Sequence, residues 1–153
     1  MKWQTLGIAA AIGLSALPAL RAAAEGGAAE KRQMLARHET IAEFLGTRYH
    51  RCLGLTSACP DRCGQSGTMA SFRIVEYTAY EKPGEYGDPK AGQYDVLVED
   101  NRGNLKVPPA IRDAVRSLKP GDRVRPHWNH DYVTKDGSSY PEQPIVRLEK
   151  IAP

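Results

Sequence analysis

The chain has three cysteines, Cys52, Cys59 and Cys63, and all of them fall in the short stretch Tyr49–Gly64, with His50 just before the first. One imidazole nitrogen and three sulfurs make a donor set for a soft or borderline metal. Used together they suit a closed tetrahedral Zn(II) site; fewer of them suit Cu(I). Cys59 and Cys63 are four apart, so one helical turn would put both sulfurs on one side. Ser57 or Cys59 can cap such a turn, Pro60 suits its first position, Asp61 lies near its positive end, and Gly64 can stop it. A thiol at a helix N-terminus loses its proton more readily, which readies it for a metal or for redox exchange. The candidate ligands are Cys59 and Cys63, then Cys52, then His50.

The N-terminus widens the choice. Met1-Lys2 is followed by an apolar run from Leu6 to Leu20, and Arg21-Ala22-Ala23-Ala24 carries the small residues a signal peptidase reads. Residues 1–24 are therefore expected to be a secretory signal, which makes the protein periplasmic or extracellular. Exported cysteines usually pair. A disulfide from Cys52 to Cys59 or Cys63 would staple the loop, contribute about 2–3 kcal/mol, and leave one cysteine over. That cysteine could bridge to a second chain, or serve as the exposed thiol of a redox protein with a resolving partner.

The segment Cys59-Pro60-Asp61-Arg62-Cys63 resembles the Cys-Pro-Asp-x-Cys copper motif of Sco-type copper chaperones. The resemblance implies that Cys59 and Cys63 are the thiol ligands and that a distant histidine joins them. It covers five residues. Gly64 stands where those sequences usually continue with Pro, and the thioredoxin fold of that family is not legible in the strand-rich residues after Gly64.

Charge excludes some partners. Without Lys2 and Arg21, the 21 basic residues fall to 19 against 18 acidic ones, about +1 in all. Such a chain has no field to steer nucleic acid, and its basic residues are scattered. No stretch after the signal is apolar enough to span a bilayer.

Several elements must hold the cysteines. Residues 25–29 form a flexible leader. From Glu30 to His50, Met34, His38, Ile41, Leu45, Tyr49 and Cys52 recur at helical steps, with Lys31, Arg32, Arg37, Glu39, Glu43 and Arg48 opposite. That pattern predicts an N-terminal helix, on which His38 is a boundary residue. A cysteine loop covers 51–69. Residues 71–80 and 93–99 read as strands, and 105–107 as a short third one. Pro108-Pro109 opens a helix over 110–118, and 123–133 and 145–151 are the last strands. A β-β-β-α-β-β order is the arrangement of an OB-fold. The expectation is therefore a mainly β domain, a five-stranded OB-like barrel over 70–153 with a helix between strands 3 and 4.

A second cluster, His127-Trp128-Asn129-His130-Asp131-Tyr132, could send His127 or His130 to the cysteines with Asp131 behind it. It reads more readily as an aromatic core strand with polar partners at its end. Tyr77, Tyr80, Tyr86 and Tyr94 could form a stacking surface or simply fill the barrel. Taken together, the sequence points to an exported, non-enzymatic protein binding copper or zinc through Cys59, Cys63, Cys52 and His50. The alternative is a disulfide-stapled interaction module for a protein or glycan.

Overall fold

The computed structural model describes residues 30–54 and 56–151. The expected signal and leader lie outside them. Six strands and one helix occur in the order β1 (Lys31–His50), β2 (Gly67–Glu81), β3 (Gln93–Asp100), α1 (Pro109–Ser117), β4 (Arg123–Lys135), β5 (Ser138–Glu142) and β6 (Ile145–Lys150). All pairings are antiparallel, and the sheet runs β3-β2-β1-β4-β5, with β6 also on β4.

The expected N-terminal helix is a strand. Along it Ala36, His38, Thr40, Ala42 and Phe44 are buried in strict alternation. That is the period of a pleat, not of a helix. Met34, His38 and Ala42 satisfy both periods, and the buried positions include small and polar residues, so the large apolar side chains alone mislead. The charged residues assigned to an outer helix face are instead matched across strands. Arg37 faces Glu81 in register and pairs with it at 2.7 Å, and Glu43 faces Arg73 and pairs with it. Cross-strand opposite charges support a sheet in the way spaced pairs support a helix. A sequence of this kind reads as a helix until its partners are known.

The five-stranded barrel is also corrected. The sheet is open: β3 pairs with β2 alone, and β5 and β6 pair with β4 alone. Residues 105–107 form no strand, only a bridge between Leu105 and Glu99. Pro108 and Pro109 come at once after it and lack the N–H groups a ladder needs. The extra strand β5 comes after a two-residue turn at Asp136-Gly137, both with positive φ (49° and 77°), the geometry that suits tight hairpins. Among the described residues no helix is long and apolar enough to cross a membrane.

β1 holds the fold together. It pairs with β2 over Arg37–His50 and with β4 over Lys31–Glu43, and register shifts after Glu39, Ile41 and Phe44 let it bend. The bend brings Phe44 and Phe72 against Tyr94, Trp128 and the Ile111–Val115 face of α1, all buried. The far end of β1 ends at His50, where the chain enters the cysteine loop.

Candidate metal centre

The loop from Arg51 to Ser66 closes on itself beside the end of β3. It contains no regular helix, so the expected helical turn at Cys59–Cys63 is absent. Cys59 N donates to Thr56 O and Arg62 N to Ala58 O, which makes consecutive turns. Pro60 O, a carbonyl that could have continued a helix, accepts instead from Ser66 Oγ at 2.8 Å and from Cys63 Sγ at 3.7 Å. Gly64 does end the turns, with φ of +69°.

Ser66 is the central fastener. It is fully buried, and its Oγ both donates to Pro60 O and accepts from Cys52 N at 3.0 Å. One hydroxyl thus joins the first cysteine to the turn carrying the other two. A second brace comes from the turn after β3. Asn101 Nδ2 donates to Asp61 O and Asn101 N donates to Ser66 O, both at 2.9 Å. Asn101 is itself placed by Asp100, a buried carboxylate that accepts from Arg102 N, Asn104 N and Asn104 Nδ2, with Lys106 Nζ at 3.3 Å. These donors, Asn104 first, hold the Asp100 carboxyl far below the usual carboxylate range.

The result is a three-sulfur cluster. Cys52 is buried, Cys59 and Cys63 are half-buried, and the three Sγ atoms lie within 4.8 Å of one another. Cys52 Sγ and Cys59 Sγ are 3.1 Å apart, and Thr56 Oγ1 is 3.7 Å from Cys59 Sγ. These contacts, that with Cys52 first, lower the Cys59 thiol pKa to about 6. Sulfurs bound to one ion at about 2.3 Å stand about 3.7–4.0 Å from each other. The cluster needs only sub-ångström shifts to reach that spacing.

No protein-family model, no curated protein and no solved structure matches the chain. The donor geometry therefore carries the functional argument.

Of the candidate ligands, the fold gathers Cys52, Cys59 and Cys63, and His50 lies outside the group. His50 is the last residue of β1, paired with Gly67, and its side chain is half-buried. Neither histidine of the second cluster joins the sulfurs. His127 lies opposite Glu39 in mid-sheet, with Nε2 3.1 Å from Arg147. His130 accepts at Nδ1 from Asp88 N at 3.2 Å. Trp128 is core, stacked between His38 and Tyr94 at centroid distances of 4.6 and 4.3 Å. Sequence reasoning missed Ser66, Asp100 and Asn101. Their only signal was that 64–67 and 100–104 read as turns, which says nothing about what those turns clasp.

Proposed function

We propose that the Arg51–Ser66 loop is a soft-metal site in which Cys52, Cys59 and Cys63 bind one ion as thiolates. The observation that carries this reading is the convergence of three sulfurs within 4.8 Å from one short loop, held by a buried serine and by the turn after β3. Among the described residues, no carboxylate or imidazole belongs to the group. An all-thiol set selects Cu(I) or Zn(II) over hard cations. Three donors complete a trigonal Cu(I) site, whereas zinc takes a fourth. His50, which lies outside the group in this structure, would have to swing toward the sulfurs to be that fourth ligand if zinc is the metal. The resemblance of Cys59–Cys63 to the Sco-type copper motif favours copper. In this reading the protein is exported, its first 24 residues are a removable signal, and it carries the metal without catalysing a reaction.

The test is anaerobic titration of the reduced protein with Cu(I) and, separately, with Zn(II), against a chromophoric chelator. One equivalent of Cu(I) bound by the wild type is expected, with Cys59→Ser and Cys63→Ser each abolishing it while the far-ultraviolet circular dichroism is unchanged. No binding tighter than the chelator sinks the reading.

A second reading rests on the 3.1 Å separation of Cys52 and Cys59. In an oxidising compartment these two would form a disulfide that staples the loop, leaving Cys63 over, and the protein would act as an interaction module for a protein or glycan. Intact mass after denaturing alkylation separates the two. Three modified cysteines and a co-purifying metal support the metal site; one modified cysteine and no metal supports the staple.

A further inference from the structure

The cysteine loop has an exposed rim as well as a buried centre. Arg51 and Leu53 flank Cys52, and Leu53 is 81% exposed although its side chain is large and apolar. Tyr49, near the end of β1, is 65% exposed. Arg62 is exposed immediately before Cys63. Neither the Arg51 nor the Arg62 side chain makes a hydrogen bond or an ion pair among the described residues.

The fold brings more positive charge to the same end. Asn101 Nδ2 donates to Asp61 O at 2.9 Å and so sets the turn after β3 against the loop. In that turn Arg102 and Lys106 share one carboxylate, Asp100, at 3.9 and 3.3 Å, and the Asp100 side chain is fully buried. Both cations also approach Gly64, next to Cys63. A Cβ there would stand 3.3 Å from Lys106 Nζ and 3.4 Å from Arg102 Nη2. Arg51, Arg62, Arg102 and Lys106 thus surround the sulfurs, and the loop and turn oppose them only with Asp61 and Asp100. In sequence these cations are dispersed; in the fold they make one basic end. The chain without Lys2 and Arg21 is only about +1, so the remainder is on balance slightly acidic.

A rim of this composition suits contact with another protein. Arginine and tyrosine beside exposed apolar surface are the residues that dominate protein interfaces. Unpaired arginines at the edge of such a face draw in a partner of opposite charge and raise its association rate. The half-buried Cys59 and Cys63 lie within this rim, whereas Cys52 is buried behind them. A thiolate site takes its ion from another by bringing the two sets of sulfurs together, so whatever docks on the rim meets the accessible ligands first.

We infer that the basic rim of the cysteine loop docks a partner protein that presents a soft metal ion from an acidic face, steered by Arg51 and Arg62. The inference rests on the metal reading of the loop and names the kind of partner that supplies the ion.

The experiment measures delivery of Cu(I) to the reduced full chain by stopped flow. The probe is a short peptide whose two cysteines hold one Cu(I) between four glutamates; the control carries four lysines instead. At low salt the glutamate probe is expected to deliver at least about tenfold faster, and its advantage should fall to within about twofold at about 0.5 M salt. Arg51→Gln combined with Arg62→Gln should remove most of the advantage, while Cu(I) affinity titrated against a chelator stays within about twofold of the wild type. Equal rates for the two probes, or an advantage that survives the double variant, overturn the inference and leave the metal reading standing. Failure to take up Cu(I) even in the chelator titration ends that reading and the inference with it. Tighter association of the metal-free protein with a single-stranded oligothymidylate, or with phosphatidylglycerol vesicles, than with the metal-free glutamate peptide also overturns it, because the rim would then serve a nucleic acid or a membrane.

Discussion

Cys52 Sγ and Cys59 Sγ stand 3.1 Å apart across seven residues of loop, with Ser66 bonded both to the backbone of the first and to Pro60 beside the second. Neither cysteine sets this approach alone. The buried hydroxyl helps set it, by bonding one amide and one carbonyl of the loop at once.

Ser66→Ala should therefore loosen the loop. It leaves Cys52 N and Pro60 O without that partner, a loss of about 1–3 kcal/mol for a buried unsatisfied group. The expected outcome is a lower melting temperature and weaker metal retention than the wild type, with the far-ultraviolet spectrum preserved. Metal affinity equal to wild type would show that the loop does not need this fastener.

Burial orders the thiols. Cys52 is 2% exposed, whereas Cys59 and Cys63 are half-buried. In the folded, metal-free, reduced protein an alkylating reagent should modify Cys59 and Cys63 well before Cys52. Peptide mapping after timed quenching reads the order. Cys52 reacting first would contradict the placement of the loop against Ser66.

Two glycines sit where no side chain fits. A Cβ on Gly67, at φ of +151°, would lie 2.1 Å from Glu99 O, and one on Gly87 would lie 2.1 Å from Leu35 O. Both obstacles are backbone and cannot swing away. Gly67→Ala and Gly87→Ala should each cost about 3 kcal/mol or more in denaturant titrations. Gly67→Ala should also disturb the cysteine loop just before it, and Gly87→Ala the packing of the β2–β3 loop on β1.

His38 and His127 both have pKa values held below the ordinary histidine value. Burial is the first cause in each, with Arg147 next at His127. In the unfolded chain each takes up a proton near pH 6.5. The folded chain resists until lower pH, so in that window the unfolded state binds more protons and stability falls with falling pH. The stabilisation is complete above about pH 6.5 and is lost as pH drops toward the folded values. Thermal melts from pH 7 to 5 should show a declining midpoint, and His38→Phe a shallower decline. Parallel profiles for the two proteins would rule out His38 as a source.

The local parts of this protein are legible in its sequence. The cysteines and their neighbours are written within sixteen residues, Tyr49–Gly64, and their chemistry as soft donors needs no fold to be recognised. The strand that becomes β2 shows its aromatic and β-branched residues directly, and Pro108-Pro109 announces α1 at its first turn. These signals are local because they arise from side-chain sterics and backbone donors within a few residues.

What only the tertiary structure decided is everything that depends on a partner far along the chain. Lys31–His50 carries Met34, His38 and Ala42 at spacings that serve a helix and a strand alike. The choice falls to β2 and β4, which supply Glu81 and Arg73 for its charges and Trp128 for His38. The same holds at the candidate site and in the core. Ser66 and Asn101 hold the sulfurs from positions with no thiol-like signal, and His38 is buried against Trp128 of β4. A backbone that must satisfy every buried N–H and C=O takes those partners wherever the fold brings them, and sequence spacing records only the near ones.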